Sequence, residues 1–260
     1  MSYSKLKVEQ RGKIALVTLN DPTTLNAASE GMVGEMIDAF TKVTSGEIPA
    51  RALLITGEGR GFCSGADLSV AAPGQPLDGG RLLETLFNPL LRLMRDLPVP
   101  IVTAVNGPTA GIGSSLALMG DLIVASENAF FLQAFRRIGL APDGGATWML
   151  PRSLGKARAM ELMLLGEKLP AAKALEWGLI NRVTSGADLI PTAMELAQTL
   201  ADGPASLSLT RRLIWQGYQL THDEALDAER WTQDEAIATT DASEGLLAFQ
   251  EKRPANFTGR

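Results

Sequence analysis

Cysteine and histidine are nearly missing from this chain: Cys63 and His222 are single occurrences in 260 residues. One thiol closes no intramolecular disulfide, and one imidazole builds no multi-histidine metal site. Aromatic residues make up only 5%, and no apolar run approaches the ~18 residues of a membrane span. The opening residues, Met1-Ser2-Tyr3-Ser4-Lys5, lack the apolar stretch of a secretory signal. The expectation is a soluble, cytoplasmic protein whose mature form is the encoded one. Positive charge is in deficit too, with 24 Lys and Arg against 29 Asp and Glu, a net charge of −5. That balance excludes a broad electrostatic footprint for nucleic acid or for an acidic membrane surface. Any anionic ligand must be met by local groups. Three catalytic signatures are also missing: the Walker lysine loop, the dinucleotide G-x-G-x-x-G and the serine-centred G-x-S-x-G elbow.

What is present is 45% hydrophobic residues, enough to bury a substantial core. Ile14 to Leu19, Ala52 to Thr56, Ile101 to Val105 and Leu122 to Ala125 are short apolar runs rich in β-branched residues, and read as buried strands. Between the first two, Met32, Val33, Met36, Ile37 and Phe40 recur at helical spacing. Leu82, Leu83, Leu86, Phe87, Leu90, Leu91 and Met94 predict another amphipathic helix, bent at Pro89, after a turn-rich loop from Ala71 to Gly80. A short helix is expected from Ser114 to Met119. From about Lys156 the chain turns helical, with stops at Gly166 and Gly178. Thr221 to Glu224 reads as a capping box, and Asp241 to Glu244 as a similar start for the last helix. Alternation of strand and helix favours an α/β core.

Three loops could carry chemistry. Gly57 to Leu68 (GEGRGFCSGADL) is a glycine-rich bend whose small residues leave backbone N–H groups open to a ligand. Asn106 to Ser115 (NGPTAGIGSS) puts glycines ahead of a helix whose first N–H groups lack intrahelical partners. Leu140 to Thr147 (LAPDGGAT) presents Asp143 in a Pro-Asp-Gly turn. Each taken alone reads first as an ordinary connection.

Taken in order, FCSGADL (Phe62 to Leu68), NGPTAGIGSSLALMGDLIVAS (Asn106 to Ser126), IGLAPDGGATWMLPRSLG (Ile138 to Gly155) and EGLLAFQEKRPANFTGR (Glu244 to Arg260) resemble the crotonase, or enoyl-CoA hydratase/isomerase, superfamily. The likeness runs from about Val8 to Arg260 and is strongest to the phenylacetate-pathway branch, the 1,2-epoxyphenylacetyl-CoA isomerase-like proteins. It implies an α/β fold of the crotonase/ClpP-like kind. A spiral of ββα units holding the acyl-CoA site would span residues 1–195, and a C-terminal helical oligomerisation region residues 196–260. A homotrimer or a dimer of trimers is implied, with acyl-CoA as substrate and no separate cofactor or metal. On the matched positions, the N–H groups of Ala66 and Ile112 would form an oxyanion hole for the thioester oxygen. Asp67 and Leu68 would line the acyl and pantetheine path, and Ala27 would approach the coenzyme A body. Phe249 and Lys252 would reach the coenzyme near its phosphates from a neighbouring subunit.

The chain departs from the hydratase pattern of that family. The two glutamates expected there fall at Ser115 and Phe135, leaving Asp143 as the acidic candidate. One carboxylate suffices to shift a double bond, so isomerisation is expected ahead of 2-enoyl-CoA hydration. A nucleophilic role for Asp143, as in the superfamily's dehalogenases, and a non-catalytic acyl-CoA binding protein are the remaining readings. Burial against Phe135, Trp148 or nearby apolar residues would raise the Asp143 pKa and make it a better base.

Overall fold

The computed structural model describes residues 3–70 and 78–260; the greater part of the Ala71 to Gly80 loop therefore lies outside the described residues. In chain order the elements are β1 (Leu6–Arg11), β2 (Ile14–Leu19), α1 (Glu30–Ser45), β3 (Ala52–Gly57), α2 (Gly79–Leu82), α3 (Asn88–Asp96) and β4 (Ile101–Val105). They continue with β5 (Thr109–Ala110), α4 (Ile112–Leu118), β6 (Leu122–Ser126), β7 (Phe130–Leu132), α5 (Ala146–Leu165), β8 (Lys168–Pro170), α6 (Ala171–Glu176) and β9 (Arg182–Thr184). Four helices end the chain: α7 (Leu189–Ala201), α8 (Ser206–Gly217), α9 (His222–Ile237) and α10 (Thr240–Glu251).

Six strands form one sheet in the order β1-β2-β3-β4-β6-β9, parallel throughout except for the β1–β2 hairpin. A smaller sheet, β5-β7-β8, is built from the short strands that follow β4 and β6 and the one before α6. The apolar runs are continuous because the main sheet is covered on both faces. Along β3, Leu53 and Ile55 enter one core cluster with α1 and α3, while Ala52 and Leu54 enter a second. That second cluster is covered by α7, whose Leu189, Ala193, Ala197 and Ala201 repeat every four residues. Alanines at that spacing let the helix axis lie close to the strands. The expected division between 195 and 196 falls inside this helix.

Several local expectations are corrected. The bend before α3 is taken up by a π-turn over Leu83–Phe87, in which the Asn88 N–H bonds to Leu83 O; Pro89 then sits at the start of α3, where its missing donor costs little. Helix α4 begins at Ile112, two residues before the expected Ser114, because Gly111 (φ 52°, ψ −128°) turns the chain sharply into it. The Ser114 hydroxyl instead donates to Thr109 O. Helix α5 starts at Ala146 and carries a kink at Gly155 (φ 78°, ψ 162°), so only its second half was anticipated. The stops at Gly166 and Gly178 and the Thr221–Glu224 capping box form as expected. The last helix is capped by Thr239, which accepts from the Ala242 N–H, and not by Asp241. Asp241 is buried and accepts from the N–H groups of Ala205, Thr258 and Gly259, tying the chain end to α8.

The C-terminal helices are anchored by one buried ion pair. Arg211 of α8 donates through Nε to Asp121, and its other nitrogens reach the carbonyl oxygens of Met94, Arg95 and Leu97 at the end of α3. Burial pushes the Asp121 carboxyl up, and Arg211, the Ile101 N–H and Trp215 pull against it. Arg211→Met should therefore cost about 3–5 kcal/mol, because it strips the desolvated Asp121 of its counter-charge and leaves three helix-end carbonyls without this donor. Urea denaturation with an unchanged m-value checks this; a loss below ~1 kcal/mol would show the pair to be dispensable.

Candidate active site

The site lies at the carboxyl ends of β3 and β4, where crevices form in parallel sheets. Two asparagines that the sequence reading passed over fix the turn after β3. Asn26, itself left-handed at φ 57°, donates from Nδ2 to Glu58 O and Gly61 O, and its Oδ1 accepts from the Asp21 N–H. Asn106 donates to Gly59 O and Gly61 O and accepts from the Gly57 N–H. The only sequence signal was an Asn just before each small-residue run.

Past this turn the chain runs extended between two neighbours. Cys63 bridges Thr109 on one side, and Ala66 bridges Ala28 on the other. The second bridge uses Ala28 N–H to Gly65 O at 2.7 Å and Asp67 N–H to Ala28 O at 3.4 Å. Successive N–H groups of an extended chain alternate in direction, so the Ala66 N–H points away from this bridge. Among the described residues it has no partner. The second loop behaves alike. Ala110 N–H bonds to Cys63 O and Gly111 N–H to Leu132 O, whereas the Ile112 N–H, first in α4, has no partner among the described residues. The two loops meet without side chains between them: a methyl group on Gly113 would collide with the Cys63 carbonyl, and one on Gly65 would stand 3.1 Å from Ala110 O. Ala66 and Ile112 are thus brought to the same backbone contact.

Asp143 arrives from a third segment. A 3₁₀ turn over Ala134–Ile138 ends at left-handed Gly139, and the Asp143 carbonyl accepts from Ala146 N–H at the start of α5. Gly144 and Gly145 follow at φ 61° and 76°. Gly144 lies flat against the first turn of α4; a methyl there would collide with the Ile112 side chain and stand 2.8 Å from Ser115 Oγ. The Asp143 carboxyl is half-buried, its Oδ1 has no hydrogen-bond partner, and desolvation alone pushes its pKa up to about 6. Ser115 is fully buried with its hydroxyl also unpartnered, and the Phe135 ring packs toward Gly111. A single acid with neutral neighbours therefore stands beside an amide-lined contact.

Of the residues expected to hold the coenzyme, Ala27, Asp67 and Leu68 flank the Ala28–Ala66 bridge. The side chain of Ser69 and then its N–H, from which Asp67 accepts, hold the Asp67 carboxyl below the ordinary range, and Leu68 is 43% exposed. Phe249 and Lys252 are not brought to this place within the protomer. Phe249 is 82% exposed on α10, whose following tail is held by Arg51, donating to Phe257 O and Gly203 O at the amino end of β3. Lys252 is exposed in a left-handed C-cap. Cys63 is buried, its thiol pushed up to about 11 by desolvation, and packs as a small apolar filler. Among the described residues no group of three or more His, Cys, Asp or Glu is placed to hold a metal ion, and no helix is long and apolar enough to cross a membrane.

A raised carboxyl pKa fixes the sign of a stability effect. The folded state disfavours the ionised Asp143, so its contribution is intact below about 3.8 and is lost as pH rises through about 6. Asp143→Asn should accordingly stabilise the fold at pH 7, by roughly 1–2 kcal/mol after allowance for partial solvation. Melting curves of both proteins at pH 7 and pH 4 check this: the gain should shrink at pH 4, and a gain equal at both values would contradict the assignment.

The family profile described as "Enoyl-CoA hydratase/isomerase" matches residues 9–260. The 1,2-epoxyphenylacetyl-CoA isomerase of Escherichia coli (strain K12) is 42% identical over 251 residues, 95% of each chain. A protein of Rhodobacter capsulatus named "Probable enoyl-CoA hydratase" is 40% identical over 261 residues, the whole of both chains. Among solved structures, an enoyl-CoA hydratase from Bacillus anthracis superposes with a TM-score of 0.93 at 29% identity, covering 99% of this chain and 100% of that one. With a profile spanning nearly every residue and relatives of this kind along the full length, the chain belongs to the enoyl-CoA hydratase/isomerase family and has its crotonase fold.

Proposed function

We propose that this enzyme moves a double bond in an acyl-coenzyme A thioester, using Asp143 as its single acid and base. The carrying observation is that carboxyl: half-buried, unpartnered at Oδ1, with a pKa near 6 and no second acid beside it. The thioester oxygen would lie between the N–H groups of Ala66 and Ile112, both without partners among the described residues. Asp143 takes a proton from one carbon of the allylic system, and the electron pair delocalises onto the thioester oxygen. Two preorganised donors reward that charge more than they reward the neutral carbonyl, and one such donor is worth ~3 kcal/mol. The same carboxyl then returns the proton to the other end of the system, so nothing is consumed and no water is needed. A pKa near 6 leaves Asp143 mostly ionised at pH 7 yet able to hold the proton between the two steps.

Ala27, Asp67 and Leu68 would border the pantetheine path. Because the net charge is −5, the coenzyme phosphates require a local cation, and Lys252 with Phe249 would supply a lid from a neighbouring protomer of a homotrimer or dimer of trimers. The apolar residues exposed on α9 and α10, Trp231, Ile237, Leu246 and Phe249, support such an assembly. Hydration of 2-enoyl-CoA is the second reading, favoured by the naming of the Rhodobacter capsulatus relative.

Thioester absorbance separates the two. Gain of conjugation from 3-enoyl-CoA is expected; loss of conjugation from 2-enoyl-CoA with no reaction of the 3-enoyl ester would select hydration. Asp143→Asn should lose at least ~100-fold in turnover while still binding coenzyme A esters. Turnover close to the parent would remove Asp143 from its role. For the parent enzyme kcat/KM should rise with pH through about 6 and then level, since the base acts ionised. Gly113→Ala should cost on the order of 100-fold in kcat/KM by wedging α4 away from Cys63 and separating the two amides.

A further inference from the structure

Two cavities lie beyond Asp143, and they share a wall. The nearer, about 310 Å³, is lined by Gly144 and Gly145, directly after Asp143, and by Leu91 of α3 and Met149 of α5; its rim is polar, with Arg92 and Gln219. The farther, about 490 Å³, runs between α7, α8 and the start of β6 and is lined by apolar residues such as Leu118, Ile123, Leu179 and Ile214. Trp148, Met149 and Trp215 line both.

The wall is stiff. Trp148 of α5 stacks on Trp215 of α8 with ring centroids 5.7 Å apart and planes 11° from parallel, Tyr218 meets it edge-on at 5.2 Å, and the Arg152 guanidinium covers the Trp148 ring at 4.3 Å. Trp215 is itself hydrogen-bonded to Asp121, the carboxylate that holds Arg211. The stacked pair is therefore fixed from α8 and does not swing aside as a lone tryptophan would.

We infer that Trp148 is the specificity-determining end wall of the acyl pocket: it stops a short acyl group in the cavity beside Asp143 and denies longer chains the apolar cavity behind it. This rests on the acyl-coenzyme A reading above. Both volumes are in the range of small-molecule sites, about 300–1,000 Å³, but only the nearer is lined by the glycines that follow Asp143. Removing the indole joins the two spaces and exposes an apolar channel that an extended chain can follow.

Saturated acyl-coenzyme A esters, which bind without reacting, test the wall apart from the chemistry. Titration calorimetry with butyryl, hexanoyl, octanoyl and decanoyl esters should show parent affinity that stops improving once the near cavity is full. Trp148→Ala should continue to tighten by about fourfold per added methylene beyond that length. Trp148→Leu, which keeps an apolar side chain on α5, should move the break point in the same direction and serves if the alanine variant does not fold. Equal chain-length profiles in parent and folded variant would overturn the role of Trp148 while leaving the acyl-coenzyme A reading intact. If no ester binds the parent at any length, that reading falls and this inference with it.

Discussion

The site depends on one close approach of backbone to backbone: the Cys63–Ala66 segment against the first turn of α4. Both loops leave parallel strands and have spent most of their hydrogen-bonding capacity on each other and on their flanks, through Ala110 N–H to Cys63 O and Gly111 N–H to Leu132 O. Among the amides left without a partner in the described residues are those of Ala66 and Ile112, one on each side of the contact. Gly113 permits the approach because any side chain would strike Cys63, and Gly65 holds a φ of 112° that L side chains rarely adopt. The asparagine clamps at 26 and 106 stiffen the turn behind the contact, so the amides are held in place before any ligand arrives. In the proposed reaction, electrostatic stabilisation by such amides would need no reorganisation as charge develops.

Such a site is assembled against folding stability. A desolvated carboxyl with an unpartnered oxygen, two unpaired amides and a buried unpartnered Ser115 hydroxyl each cost free energy in the absence of substrate. The main sheet offsets that cost, with β2, β3 and β4 buried along their whole length and apolar helices on both faces. The rigid scaffold and the strained site are therefore complementary parts of one design: the former is over-determined by burial, and the latter is a set of polar groups left unsatisfied.

Much of the scaffold was legible in the sequence, for a local reason. Strands β2, β3, β4 and β6 were placed to within a residue because a short β-branched run between turn residues has few other uses. Gly166, Gly178 and Thr221 were readable because caps depend on nearest neighbours. The first half of α5 was not, since Pro142 to Gly145 and Pro151 give it the composition of a turn, and tertiary packing on α4 overrides that signal. Arg211 and Asp121 stand 90 positions apart, and no local pattern links them. At the candidate site the motifs marked out the loops, whereas the freedom of the Ala66 N–H depends on strand direction, which only the fold supplies.

The absence of a second acid shapes what the site can do. Were carboxylates present at 115 or 135, like charges would couple, and one group would be driven to hold a proton while the other stayed ionised. That division suits the activation of water by one group and protonation of carbon by another. With Ser115 and Phe135 in those places, desolvation is the only cause acting on Asp143, and its affinity for a proton is balanced at about pH 6, close to neutrality but on the ionised side of it at pH 7. A group in that state gives up what it takes with little bias in either direction. In the proposed reaction this is the useful property, because substrate and product are both enoyl thioesters and the proton must leave one carbon and join another without being trapped between them.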